Sequence, residues 1–184
     1  MGRFVCSIGS WYKLPMHSTP KHAAPAPLED LPGHYIRRLQ QIAVAIFLEE
    51  TQQYGITPVQ FAALTAVHGQ TGIDQRTLAR TIGYDAATIG SVIDRLEARG
   101  LMLRSAHASD RRVRLLALTP EGEELLQQVQ PGMRNAQLRM LKPLPAAQRK
   151  EFMAMLKTLV NANNVFSRAP RMLAESGASR SRGI

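Results

Sequence analysis

Between Asp74 and Leu118 the spacing of apolar residues changes once, and that change limits the fold more than any other feature of the chain. Up to Gly100 the period is helical. Asp74 opens a short helix, Gln75 to Ile82, which turns Leu78, Ala79 and Ile82 inward. Gly83 and Tyr84 make a turn, and Asp85 caps a second helix, Ala86 to Arg99, ended by Gly100. Its apolar residues Ile89, Val92, Ile93 and Leu96 fall at i, i+3, i+4 and i+7, one face of a helix. An aspartate suits both starts because its side chain accepts from the orphan amides of a first turn. Beyond Gly100 the period is that of strands. Leu101-Met102-Leu103-Arg104 and Val113-Arg114-Leu115-Leu116-Ala117-Leu118 flank the polar loop His107-Ala108-Ser109-Asp110-Arg111-Arg112. This reads as a β-hairpin with a basic tip.

Two short helices joined by a glycine turn and followed by a basic hairpin make a winged helix-turn-helix. The second helix keeps one face for the core and leaves Ala87, Thr88, Gly90, Ser91, Asp94 and Arg95 on the other. A helix with such small side chains fits the major groove of DNA. The hairpin tip then reaches the adjacent minor groove, where the potential is most negative. The candidate DNA-contacting residues are Gln75, Arg76, Thr77, Ala87, Thr88, Ser91, Arg95, Asp110, Arg111 and Arg112. Arg95 and Arg99 also read as ordinary solvated helix positions. Arg111 and Arg112, with Arg114 close by, are a denser basic cluster of the kind that seeks phosphate.

The flanking segments are helical. From His34 to Tyr54, apolar residues at Tyr35, Leu39, Ile42, Ala43, Ile46 and Phe47 line one face, and Gly55 stops the run. Thr57-Pro58-Val59-Gln60 reads as a capping box with proline in the first turn, opening a helix that ends near Gly69. Thr119-Pro120-Glu121 opens another, through about Leu141, with Pro131 predicting a kink. Pro143 and Pro145 interrupt before a last helix, Ala146 to Phe166. The fold class is mainly α with a small β-hairpin wing. The expected organisation is a flexible arm over 1–30, an ordered domain over 31–166 and a basic tail over 167–184. Within the domain, a winged helix spans about 57–118 and dimerisation helices span about 34–54 and 120–166. Those outer helices carry more apolar surface than the winged region covers, so the chain is expected to form a homodimer.

The runs Asp94-Arg95-Leu96-Glu97-Ala98-Arg99-Gly100-Leu101, Arg104, Ser109-Asp110-Arg111-Arg112 and Leu118-Thr119-Pro120-Glu121-Gly122 resemble the MarR family of bacterial transcriptional regulators. The likeness covers roughly residues 31–166. It implies a dimer built by the first and last two helices, and a pseudo-palindromic double-stranded DNA site matching the twofold axis. It also implies that the wing residue Arg112 enters the minor groove, oriented by Asp110. One departure stands out: the family often has Ser, Thr or Arg where this chain has Ala87, Gly90 and Ser91. Base reading therefore leans on Thr88, Ser91, methyl contacts by Ala87, and DNA shape. The stretch His34-Tyr35-Ile36-Arg37-Arg38-Leu39 further resembles members that govern nicotinate degradation.

That resemblance implies a small organic anion, an aromatic carboxylate, as effector. His34 and Arg38 stand at i and i+4 of the first helix, with Tyr35 beside them. An arginine fork can donate two parallel hydrogen bonds to a carboxylate. Family ligands sit where the first helix faces the second and fifth, which offers Leu64, Val67, His68, Met133 and Gln137 as lining. The alternative for Arg38 is an ion pair with an acid across the dimer. His68, at a helix end, otherwise reads as a partner for carbonyl groups.

Composition serves mainly to exclude. The net charge is +9, but residues 1–27 and 167–184 each contribute +3, leaving only +3 on the 139 residues between. High basicity is thus a modest argument for nucleic acid. Lone Cys6 excludes an internal disulfide, and no histidine has a metal-ligand companion, so neither metal nor cofactor is expected. The longest apolar run, Ile42 to Leu48, falls far short of the ~20 residues that span a bilayer. With no secretory signal pattern, the expected location is the cytoplasm and no membrane partner is expected. No GxSxG, phosphate loop or HExxH points to an enzyme. The competing classes are a ligand-independent architectural DNA binder and a protein-protein module on the same fold.

Overall fold

The computed structural model describes residues 26–107, 113–167 and 170. The chain divides into two compact units, 1–36 and 37–184. In the first, a 3-10 turn at Leu28–Asp30 precedes helix α1, Pro32–Glu50, which begins there. The second holds the remaining elements and is described from here on.

Helix α1 ends at Glu50, four residues before the sequence pattern suggests. At the helix end the Thr51 amide (3.0 Å) and hydroxyl (2.7 Å) both donate to the carbonyl of Phe47. The chain then tightens into a 3-10 turn, Gln52–Tyr54, that Gly55 closes at φ +56°. Helix α2, Pro58–Gly69, starts with the expected capping box. The Thr57 amide donates to Gln60 Oε1 (3.0 Å) while the Gln60 amide donates to Thr57 Oγ1 (3.3 Å).

A two-residue strand, β1 (Ile73–Asp74), comes next, followed by helices α3 (Gln75–Ile82) and α4 (Ala86–Ala98). Strands β2 (Met102–Ala106) and β3 (Arg114–Leu118) form the wing. The sheet has three antiparallel strands in the order β1-β3-β2, with Ile73 opposite Leu116 and Met102 opposite Leu118. Strand β1 is not expected from the sequence. Two residues show no alternation, and only their pairing with β3 makes them a strand.

Leu64, Val67, Leu78, Ile89, Ile93, Leu96, Met102 and Leu116 are fully buried and form the centre of the core. Helices α2, α3 and α4 therefore present their apolar residues to the same point, as amphipathic periodicity requires. Helix α5, Pro120–Leu141, joins through Leu126, Val129 and Ala136 and runs unbroken through exposed Pro131. Its first turn lies against the turn after α4. Thr119, the N-cap, accepts from the Gly122 amide (3.0 Å) and donates to the Gly100 carbonyl (2.7 Å). Only glycine fits at 122, since a Cβ there would sit 2.0 Å from the Leu101 carbonyl oxygen. Helix α6, Ala146–Ala162, is shorter than expected because Asn164–Phe166 turns as a 3-10 helix. It buries none of its residues within the chain, and Leu159 and Val160 are 54% and 67% exposed. Among the described residues, no helix is long and apolar enough to cross a membrane.

Candidate nucleic-acid interface

Helix α4 shows the division that the sequence suggests. Ile89, Val92, Ile93 and Leu96 are buried, while Ala87, Thr88, Ser91 and Arg95 are exposed. Asp85 begins the helix by accepting from the Thr88 amide (2.8 Å) and the Thr88 hydroxyl (2.7 Å). The bond from the Thr88 amide, then that from its hydroxyl, holds the Asp85 carboxyl below its ordinary range. The hydrogen of the Thr88 hydroxyl is engaged, so the group faces solvent as an acceptor only.

Two side chains from neighbouring elements fix α4 along its flank. Gln75, the first residue of α3, donates from Nε2 to the Ala86 carbonyl at 3.0 Å. Arg104 on β2 reaches across to Asp94 Oδ1 (2.7 Å), to Glu97 Oε2 and to the Gly90 carbonyl (3.4 Å). The Arg104 and Glu97 side chains are both largely shielded from solvent, so their charge-assisted pair is screened less than a surface pair, whereas Asp94 is exposed. Arg104 thereby ties the wing to the candidate recognition helix. In the sequence Arg104 stands within a motif but shows no role, because its partners at i−7 and i−10 lie on another element.

Arg76 and Thr77 are exposed at the start of α3. The helix's first amides are already capped. Asp74 accepts from the amides of Arg76 (2.9 Å) and Thr77 (3.0 Å) and from the Thr77 hydroxyl (2.5 Å). Partial burial pushes the Asp74 carboxyl up, but the bonds from Thr77 and Arg76 together outweigh it and lower the pKa. Between this turn and the wing runs an open cleft of about 470 Å³, lined by Asp74, Gln75, Arg76, Thr77, Val113 and Arg114. Two arginines, Arg76 and Arg114, thus border one groove between helix-turn-helix and wing. Asp110, Arg111 and Arg112 at the wing tip lie outside the described residues.

Arg99 proves to be part of the scaffold. It donates to the carbonyls of Gly55 (2.9 Å) and Tyr54 (3.1 Å), tying the end of α4 to the 3-10 turn after α1. His68 corrects another expectation, since its partner is a carboxylate rather than helix carbonyls: Nδ1 lies 2.6 Å from Glu123 Oε2 in the first turn of α5. Neither contact has a local sequence signature, because 44 and 55 residues separate the partners.

Of the residues expected to line an effector site, those in the second unit differ in exposure. Leu64 and Val67 are fully buried in the core and expose nothing to a ligand. Met133 is half-buried against that core, whereas Arg38 and Gln137 are exposed. In the first unit, the rings of His34 and Tyr35 meet edge to face at 5.5 Å.

Residues 56–113 match the MarR family. The solved structure of Bordetella bronchiseptica BpsR superposes with a TM-score of 0.71 at 30% identity, over 75% of this chain and 99% of BpsR. The chain belongs to the MarR family. It is similar to the transcriptional repressor NicR of Pseudomonas putida, 29% identical over 75% of this chain and 92% of NicR. The repressor CouR of Rhodococcus jostii, solved on a 23-mer DNA duplex, superposes with a TM-score of 0.69 at 29% identity, covering 72% of this chain and 94% of CouR. The BpsR structure addresses regulation of DNA binding by 6-hydroxynicotinic acid. Membership makes the chain a winged helix-turn-helix transcriptional regulator; the family and these relatives are regulators rather than enzymes.

Proposed function

We propose that this protein is a homodimeric repressor that binds a pseudo-palindromic operator and is released by a small aromatic carboxylate of the hydroxynicotinate class. The observation that carries the DNA reading is α4. Its exposed Ala87, Thr88, Ser91 and Arg95 stand on a helix held by Gln75 at its first residue and by Arg104 at Gly90, Asp94 and Glu97. A rigid, small-faced helix beside an arginine-bordered cleft matches the needs of groove and phosphate together. Arg76 and Thr77 hold the backbone; Thr88, Ser91 and Arg95 face the bases. At the wing tip Arg112, oriented by Asp110, takes the adjacent minor groove, with Arg111 beside it.

Dimerisation follows from α6. A 17-residue helix with no fully buried residue in its own chain needs a partner, and Ile42, Leu48 and Leu138 add exposed apolar surface on α1 and α5. A second copy offers the same faces and covers them by twofold symmetry. The effector reading draws on the relatives NicR and BpsR and on the exposed guanidinium of Arg38, which suits a planar carboxylate. Ligand binding then favours one separation of the two recognition helices over another.

Selection from a random duplex library, followed by fluorescence anisotropy, tests the proposal. The expected product is a motif with two inverted half-sites about one helical turn apart. Adding 6-hydroxynicotinate is expected to weaken binding about 5- to 150-fold, and Arg38→Ala to abolish that response without changing ligand-free affinity. Sequence-blind binding with no motif would instead mean an architectural DNA binder. An unchanged response in Arg38→Ala would remove Arg38 from the effector site.

A further inference from the structure

We infer that Gln75, which stands on α3, is the adenine-reading residue at the leading end of the recognition helix. The inference rests on the proposal that α4 enters the major groove. In that geometry the first turn of the recognition helix meets the base edges. Yet the first turn of α4 has almost nothing to read with. Ala86 and Ala87 carry no polar atoms, Gly90 has no side chain, and the Thr88 hydroxyl hydrogen is held by Asp85. Both Asp85 oxygens already accept from Thr88.

Gln75 fills that gap. Its amide reaches the first residue of α4, with Nε2 donating to the Ala86 carbonyl at 3.0 Å. It also occupies the space beside Gly90, where a Cβ on residue 90 would stand 3.1 Å from Gln75 Nε2. The missing side chain at 90 is thus what lets a side chain from another helix lie across the start of α4. The same glutamine lines the open cleft between α3 and the wing, so it is reachable from solvent. The bond to Ala86 engages one N–H. The rest of the amide's capacity is a second N–H and the oxygen. A donor and an acceptor on one planar group match N7 and the exocyclic amine of adenine. The bond to Ala86 also fixes the amide before DNA arrives, so little side-chain freedom is lost on binding.

The test compares motifs selected from random duplexes by the full-length wild type, Gln75→Leu and Gly90→Ala. Wild type is expected to prefer an A·T pair at one position in each half-site. Gln75→Leu is expected to lose preference at that position alone. Its affinity for the wild-type motif should fall about 5- to 150-fold, well beyond any change in its affinity for random duplex. Gly90→Ala keeps the glutamine but displaces its amide, and should show a smaller loss at the same position. Two results would overturn the inference: an unchanged motif in Gln75→Leu, or a loss spread evenly over the half-site, which marks Gln75 as only a brace for α4. If wild type itself selects no motif, the proposed function has failed and the inference falls with it.

Discussion

Gly122→Ala offers a direct test of the junction that joins the winged region to α5. By helix propensity alone, alanine in the first turn of α5 should stabilise by up to about 1 kcal/mol. The structure reverses the sign. A Cβ at 122 would lie 2.0 Å from the Leu101 carbonyl oxygen and 3.0 Å from its carbon, both backbone atoms. Relieving the clash needs a shift of about 1 Å between α5 and the Gly100–Leu101 turn, since real Cβ atoms do not come closer than 3.0 Å. That shift takes the Thr119 hydroxyl out of reach of the Gly100 carbonyl, now 2.7 Å away, and the Thr119 amide away from Leu101 O, now 3.3 Å. Two broken hydrogen bonds cost about 1–3 kcal/mol, and loosened packing of Leu126 and Leu101 adds on the order of 1 kcal/mol. Less the propensity gain, the net loss is about 1–3 kcal/mol. For a chain of this length that lowers Tm by roughly 2–12 °C. The assay is thermal or urea denaturation at one fixed protein concentration, because dimerisation makes apparent stability concentration-dependent. Gly69→Ala is the control, with nothing within 4 Å of its Cβ and no positive φ. It should be neutral or slightly stabilising. If Gly122→Ala unfolds no earlier than wild type, α5 does not approach Leu101 as described.

The remaining expectations concern the interface. Arg104→Ala should weaken motif binding at least about tenfold while costing only about 1.5–3 kcal/mol of stability; equal motif affinity in the variant would show that the wing needs no tether to α4. Arg76→Ala and Arg114→Ala should each reduce the slope of log affinity against log salt by about 1 for every phosphate left without its arginine, and an unaltered slope would mean that their cleft holds no phosphate. Asp85→Asn should destabilise at neutral pH, because bonds from Thr88 hold the wild-type carboxyl below its ordinary 3.8. A depressed pKa gives stability that is present above 3.8 and lost as pH falls through the folded value, so the gap between variant and wild type should close in acid. A gap of constant size in urea titrations from neutral to acid pH would refute that account.

Local grammar made much of this protein legible in its sequence. Asp74, Asp85, Thr57 and Thr119 announce helix starts, and each accepts the amide bonds expected of a cap. The i, i+3, i+4 spacing of Ile89, Val92, Ile93 and Leu96 fixed the buried face of α4, and therefore its exposed one. Such features depend on residues within one or two turns of each other, so a linear reading contains them. Tertiary structure alone decided the rest. Strand β1 exists only through its pairing with β3. Leu64 and Val67, apolar at positions that suited a ligand pocket, are sealed in the core because α3, α4 and β3 close over α2. Four polar side chains acquired their partners only in three dimensions. Arg99 went to Tyr54 and Gly55, His68 to Glu123, Arg104 to Asp94 and Glu97, and Gln75 to Ala86. A long polar side chain can reach any of several elements, and its type and spacing do not say which. That choice is made when helices and strands meet, and it determines which of the chain's polar groups are bound to the scaffold and which face the groove.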